Sequence, residues 1–216
     1  MIVPRLPRHG HADRLSRALA DLTADELKAI AAESLEIARG LGDDVTVTGF
    51  SMGGLLAAWI AQTQTVDRAV PLIPFLGVIG VPMGVAPLVA TLALRMPNAF
   101  RWWDPIKRER QMPEHGYPRY TTHSIAELYG LAHEVLVAAR TQPPRAKTIV
   151  VVTNKHESAV NNRATCHLVA AWRRQRPDVQ TFSFENLPIS HDIIEPLRHS
   201  WTVERVYPDV LRLLAS

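Results

Sequence analysis

The sequence is poor in cysteine, with a single one, Cys166, among its 216 residues. One cysteine cannot close an internal disulfide, which excludes the disulfide-rich secreted domains and indicates a reducing compartment, so we expect a cytoplasmic protein. A strong net charge is also lacking, because 24 basic and 21 acidic residues leave a formal charge of +3. So small an excess, spread along the whole chain, gives little support to nucleic-acid binding, and we expect no nucleic-acid partner.

Long uninterrupted apolar segments are lacking as well. Residues 69–94 carry no charge and are long enough to cross a bilayer, but four prolines and three glycines interrupt them. A continuous helix of spanning length is therefore excluded, and we expect a buried or lid-forming segment and no stable membrane insertion. The first fourteen residues include six charged or histidine side chains and no apolar core, which argues against a signal peptide there.

What the sequence does contain is an alternation of strand-like and helix-like segments. We predict strands at residues 2–3, 45–48, 69–73, 148–153 and 179–184, and helices at residues 23–39, 55–62, 124–140, 165–176 and from about 208. Such alternation is typical of a mainly parallel sheet with helices on both faces, so the expected fold is an α/β three-layer sandwich in one domain, residues 1–216. The Pro- and Gly-rich span at about 74–122 breaks the rhythm and is predicted to be an inserted cap.

The most informative motif is Gly49-Phe50-Ser51-Met52-Gly53, which stands between a β-branched strand and an apolar helix. A G-x-S-x-G sequence in that context places the serine on a sharp, strained turn, where the residues two before and two after it crowd each other and must be small. The helix that follows presents free N–H groups beside the serine hydroxyl. We therefore predict Ser51 as a nucleophile and the N–H of Met52 as an oxyanion donor. The alternative is a strand–turn–helix unit with an incidental serine.

A serine nucleophile needs a base, and the base needs an orienting carboxylate. With this motif the chain order is serine, acid and then histidine. Among nine histidines, His191 fits the base best, because it lies in the loop after the last predicted strand. Glu157 follows the preceding strand and is the predicted acid, whereas Asp178 lies at the wrong end of its strand. Asp192 is expected to bond the local backbone. The alternatives are an ordinary loop histidine and an exposed loop glutamate.

With these residues placed, the chain resembles the α/β-hydrolase superfamily, and within it the carboxylesterase and monoacylglycerol-lipase-like group. The resemblance is carried by residues 4–10 (with Arg8 where glycine is usual), 49–54, 102–105 and 117–119, by Glu157 with Val160, and by His191 with Asp192. It implies an ester hydrolase with a Ser51, Glu157 and His191 triad that forms an acyl-enzyme on a small-molecule ester and needs no metal or cofactor. Glu157 stands where Asp is commoner, a change that the superfamily tolerates.

The resemblance departs from the family pattern at the N-terminus. Family members carry several strands and a helix ahead of the segment that matches residues 4–7, with a His-Gly loop that gives a second oxyanion N–H. Only 50 residues precede Ser51 here, so we expect a misplaced start, a fragment, or half an oxyanion hole with about 10²–10³-fold lower turnover. Ile2–Val3 would then be an unpaired edge strand, which invites a homodimer.

The apolar side chains of the predicted cap are the candidates for an acyl pocket. They are Phe75, Leu76, Met83, Phe100, Trp102 and Trp103. Half or more of them fit the protein core equally well. The leading hypothesis is a serine carboxylesterase for small or medium apolar acyl esters. Two others stay open: a catalytically impaired scaffold that binds a ligand or partner, and a lipase that acts at a membrane surface.

Overall fold

The chain folds around a parallel sheet flanked by helices. The structure is a computed structural model, which describes residues 1–113 and 115–215. The strands are β1 (Thr46–Phe50), β2 (Arg68–Leu72), β3 (Phe100–Trp102), β4 (Arg119–Thr121), β5 (Thr148–Asn154) and β6 (Gln180–Phe184). The helices are α1 (Ala24–Arg39), α2 (Met52–Thr63), α3 (Ala86–Arg95), α4 (Thr122–Thr141), α5 (Asn162–Gln175), α6 (Thr202–Arg205) and α7 (Tyr207–Ala215). Short 3-10 helices lie at Ala18–Asp21 and Arg108–Gln111.

The central strands lie in the order β1–β2–β5–β6, and every neighbouring pair is parallel. Phe50 of β1 lies opposite Leu72 of β2, and Asn154 of β5 lies opposite Phe184 of β6, so the carboxyl ends of these strands meet at one edge of the sheet. The α/β fold predicted from the sequence is therefore confirmed. The observed strands begin and end within two residues of the predicted ones at 45–48, 69–73, 148–153 and 179–184.

The predicted strand at Ile2–Val3 is wrong, because residues 1–6 form no ladder in the part of the chain that the structure describes. Pro4 follows directly and has no N–H to donate, which weakens any pairing at this point. An apolar groove of about 530 Å³ is lined by residues 1–4, α1, β1 and α2. The outer edge of β1 consequently faces this groove.

The core lies between the sheet and the helices that pack on it. Residues 54–62 of α2 are all buried, as is typical of a helix that is apolar on every side. Residues 149–152 of β5 are buried on both faces of the sheet, as in other parallel sheets. Trp172 of α5 is completely buried, and its indole N–H donates to Gln62 Oε1 at 2.6 Å. This bond ties α5 to the end of α2.

Between β2 and α4 the chain leaves the central sheet and forms α3 and the antiparallel pair β3–β4. α4 begins two residues earlier than predicted, because the residue that caps it is Thr121. Thr121 Oγ1 accepts the N–H of Ser124, and Ser124 Oγ accepts the N–H of Thr121, so two otherwise free donors are satisfied. This capping box fixes the junction between β4 and the start of α4.

On α3 the small side chains face the protein and the large aliphatic side chains face outward. Its small residues lie toward the protein, with Ala90 buried against the core and α4 as the neighbouring helix. Four large aliphatic residues lie outward at the spacing of one helix face and are 45–61% exposed: Val85, directly before α3, and Leu88, Val89 and Leu92 within it. We call these four residues the α3 surface. No helix within residues 1–113 and 115–215 is both long and apolar enough to cross a membrane.

Candidate active site

Ser51 lies between the last residue of β1 and the first residue of α2, with φ of 54° and ψ of −110°. A φ in this range is strained for a residue other than glycine, and such strain is typical of functional sites. The turn is held by main-chain bonds, because the N–H of Ser51 donates to Leu72 O at 3.0 Å and the N–H of Phe75 donates to Ser51 O at 2.9 Å. The turn therefore fixes Ser51 at the carboxyl edge of the sheet.

The glycines around Ser51 are needed for reasons that the sequence showed only in part. A Cβ at Gly49 would overlap the backbone of Gly53, as predicted. A Cβ at Gly53, however, would meet nothing within 4 Å, so the prediction that only a very small side chain fits at that position is wrong. The second constrained position is Gly54, where a Cβ would lie 2.6 Å from Leu72 O. Gly54 thus lets the start of α2 pack closely against the end of β2.

Ser51, His191 and Glu157 come together at this edge in a chain of two hydrogen bonds. His191 Nε2 lies 2.9 Å from Ser51 Oγ, and His191 Nδ1 lies 2.9 Å from Glu157 Oε1. The His191 side chain is 18% exposed and that of Glu157 is 1% exposed. The Phe50 ring packs on the His191 ring with centroids 4.8 Å apart. The serine can therefore pass a proton to the imidazole, while the carboxylate holds the opposite ring nitrogen.

One oxygen of the buried Glu157 carboxylate, Oε1, is stabilised by main-chain donors of its own loop. Glu157 Oε1 accepts the N–H groups of Ser158, Ala159 and Val160 at 2.8, 2.7 and 3.2 Å, in addition to its bond with His191. Burial raises the pKa of the Glu157 carboxyl, but the hydrogen bond and charge of His191 and the N–H groups of this loop outweigh it, so that pKa lies below its ordinary value. The longer side chain of glutamate allows the carboxyl to reach back over its own loop.

Asp192 does not compete for His191. Its carboxylate forms an ion pair with Arg198, so the expectation that it bonds the local backbone is wrong. The Met52 amide lies at the first position of α2, where an N–H has no partner within the helix. Among the described residues, no cluster of three or more His, Cys, Asp or Glu side chains is arranged to hold a metal ion.

The predicted pocket residues lie in several different surroundings. Phe75 and Leu76 are buried directly after β2, and the Phe75 ring packs edge-to-face on Tyr129. The guanidinium of Arg119 lies over the Phe100 ring, with Arg119 Cζ 4.2 Å from the ring centroid. The partly exposed Trp103 ring lies against Tyr120, with centroids 4.3 Å apart. Met83 and Trp102 are half-buried.

Sequence reasoning missed the residues that join the two loops carrying Glu157 and His191. Asn154, at the end of β5, donates from Nδ2 to Ser190 O at 2.9 Å. Ser190 Oγ in turn lies 2.9 Å from His199 Nε2. The one signal in the sequence was Asn154, a carboxamide at the end of a strand that is mostly apolar.

A sequence model of the alpha/beta hydrolase family matches residues 1–211. The fold is similar to that of a soluble variant of monoglyceride lipase from Saccharomyces cerevisiae in complex with a substrate analogue, with 11% identity, a TM-score of 0.70, and coverage of 98% of this chain and 76% of that one. It is also similar to Paleococcus ferrophilus monoacylglycerol lipase, with 17% identity, a TM-score of 0.63, and coverage of 90% and 76%.

A structure of the metagenome-derived lipolytic enzymes LipS and LipT is similar as well, with 16% identity, a TM-score of 0.64, and coverage of 97% of this chain and 77% of that one. At these identities the similarity is one of fold alone. No curated protein sequence matches the chain.

Proposed function

The chain belongs to the alpha/beta hydrolase family, and from this premise we propose that it is a serine carboxylic ester hydrolase acting on small or medium apolar acyl esters. The observation that supports this function is the hydrogen-bonded chain from Ser51 Oγ through His191 to Glu157 Oε1. A serine is a weak nucleophile unless a base takes its proton, and His191 Nε2 is within hydrogen-bond distance to do so. The single unpaired cysteine, Cys166, is in keeping with a cytoplasmic enzyme.

In the proposed acylation, Ser51 Oγ attacks the ester carbonyl carbon while His191 Nε2 takes the hydroxyl proton. Glu157 holds the Nδ1–H of the ring and stabilises the imidazolium, without taking the proton itself. The N–H of Met52 donates to the oxyanion of the tetrahedral intermediate. The intermediate collapses as the C–O bond to the alcohol breaks and His191 returns the proton to the leaving alcohol oxygen.

The acyl-enzyme is then hydrolysed by the same groups. A water molecule gives a proton to His191 Nε2 as its oxygen attacks the acyl carbon. The second tetrahedral intermediate breaks its bond to Ser51 Oγ, which regains a proton from His191 and releases the carboxylic acid. We propose that residues 74–122 cap the site and that Met83 and Trp102, two half-buried members of the predicted pocket, contact the acyl chain.

Labelling with a fluorophosphonate probe tests the nucleophile directly. We expect one adduct, on Ser51, because its hydroxyl combines a hydrogen-bonded base with the N–H groups at the start of α2. Ser190 is a built-in comparison, since its Oγ also lies 2.9 Å from a histidine nitrogen but has no helix N-terminus behind it. Mass spectrometry should find no label after Ser51→Ala. An adduct on Ser190 would contradict the proposal, and no adduct at all in the parent chain would favour the non-catalytic scaffold.

The α3 surface favours a second candidate function, a lipase that acts at a membrane surface. Its four aliphatic side chains lie on one helix face, and Arg95 at the end of α3 is exposed beside them. An amphipathic helix of this kind can bury its apolar face in the boundary between headgroups and acyl chains, and a cation there is attracted to anionic lipids. The substrate class would then be an ester presented by a lipid surface.

Interfacial activation separates this candidate from an esterase for soluble substrates. A lipase should show a jump in rate above the solubility limit of the ester, and Leu88→Ser with Leu92→Ser should remove that jump. Each leucine that enters lipid contributes about 1.5–3 kcal/mol, so the double variant should lose at least about a hundredfold in affinity for phospholipid vesicles. Leu211→Ser is the matched control, because Leu211 is an equally exposed leucine on α7. A smooth rate curve through the solubility limit would eliminate this candidate.

We also propose that the chain forms a homodimer through the outer edge of β1, which pairs with no strand within residues 1–113 and 115–215. This edge faces the apolar groove beside residues 1–4, and an uncovered strand edge offers its free N–H and C=O groups to another chain. Thr46→Lys, which places a charge on the edge, is expected to shift the protein toward monomer in light-scattering measurements across a concentration series. Gln180→Lys on β6, the opposite edge strand, should leave the dimer intact. A parent chain that stays monomeric at every concentration would contradict this proposal.

A further inference from the structure

Asn154 is the last residue of β5 and is completely buried. A buried carboxamide is costly unless both its donor and its acceptor are hydrogen-bonded. Asn154 Nδ2 donates to Ser190 O at 2.9 Å, and Asn154 Oδ1 accepts the N–H of His156 at 3.2 Å. Ser190 directly precedes His191, and His156 directly precedes Glu157. One side chain therefore spans the loop that carries the base and the loop that carries the acid.

Further bonds join the same two loops beside this carboxamide. The N–H of Ser190 donates to His156 O at 3.3 Å, and His156 Nδ1 lies 2.8 Å from Leu187 O, to which it can donate. The carbonyl of Asn154 itself accepts from Asn162 Nδ2 at 2.7 Å, which fixes the end of β5 to the start of α5. The contact between Glu157 and His191 consequently does not depend on their own hydrogen bond alone.

We propose that Asn154 is a positioning residue that sets the separation of Glu157 and His191. The inference rests on the proposed function, because the separation matters only if His191 acts as a base. In this role Asn154 acts through main-chain atoms, the carbonyl of Ser190 and the N–H of His156. A shift of about 1 Å in the position of a reacting group can cost about 10² in rate, so the loss of this link should lower turnover strongly.

Gln62 provides a control for the structural part of the effect. It is also a buried carboxamide, and it accepts from Trp172 Nε1 at 2.6 Å and donates to Gln142 O at 3.2 Å. It lies away from the candidate active site, at the end of α2 where Ala61 O accepts the N–H groups of the segment entering β5. Gln62→Leu and Asn154→Leu therefore remove the same kind of interaction from the two opposite ends of the sheet.

The experiment compares the two variants in kcat, KM, the rate at which a fluorophosphonate labels Ser51, and the downfield proton resonance of the His191–Glu157 hydrogen bond. Asn154→Leu should lower kcat by about 10²-fold with KM unchanged, and slow labelling to a similar degree. It should also lose the downfield resonance. Gln62→Leu should lower Tm comparably but leave kcat, the labelling rate and the resonance at their original values.

Equal kcat in the two leucine variants would overturn the positioning role. If Asn154→Leu fails to fold, Asn154→Ser is measured in the same way, because serine is too short to reach both partners, and an unchanged kcat there would overturn the role too. Ser51→Ala keeps the two hypotheses apart. If Ser51→Ala is fully active, the proposed function itself fails, whereas an inactive Ser51→Ala beside a fully active Asn154 variant removes the positioning role alone.

Discussion

Replacing His191 by alanine is expected to lower kcat as far as replacing Ser51, by about 10⁶-fold in each case. The reason is that the hydroxyl attacks only when the imidazole takes its proton, and the two atoms lie 2.9 Å apart in one hydrogen bond. Removal of both should then cost no more than removal of either, because the groups act as a unit. The measurement is kcat on a soluble short-chain ester for Ser51→Ala, His191→Ala and the double variant.

His123→Ala is the matched control for this series. His123 is another histidine with a hydrogen bond, from Nε2 to Met96 O at 2.8 Å, but it lies on α4. Its replacement should leave kcat at the value of the parent chain. Losses that multiply in the double variant, in place of a plateau, would mean that Ser51 and His191 act independently, and the proposed mechanism would be wrong.

The parts of the fold that could be predicted from the sequence are those that local patterns decide. The β-branched and apolar run at 148–153 forms β5. The Gly-x-Ser-x-Gly motif forms the tight turn at Ser51, between the predicted strand, which is β1, and the predicted apolar helix, which is α2. Glu157 and His191 could be placed because parallel strands bring their carboxyl ends to one edge, so two loops distant in the chain meet beside Ser51.

The parts that failed depend on partners that the chain brings from elsewhere. Ile2–Val3 had a strand-like composition, but the structure offers it no neighbouring strand in register. The constraint at Gly54 comes from Leu72 O, and the partner of Asp192 is Arg198. Neither contact could be predicted from the residues next to it in the chain.

Glu157→Gln is expected to lower kcat by up to about 10⁴-fold, less than the loss of Ser51 or His191. Glutamine keeps the size of the side chain but cannot stabilise the imidazolium by charge, and its amide can turn a donor toward His191 Nδ1 and impose the wrong tautomer. Asp192→Asn should have little effect on kcat, because Asp192 pairs with Arg198. If Asp192→Asn is the more damaging of the two, Glu157 is not the acid.

The effect of Glu157→Gln on the stability of the folded chain should depend on pH. In the folded chain the pKa of Glu157 lies below its ordinary value of 4.5, so the folded state binds fewer protons than the unfolded state around and below that pH. The charged carboxylate thus stabilises the parent chain fully above pH 4.5, and this contribution is lost as the pH falls through the lowered pKa. The gap in Tm between the parent chain and Glu157→Gln should therefore be widest near neutral pH and should close in acid. A gap that is constant with pH would mean that the carboxylate gains nothing from His191 and its own loop.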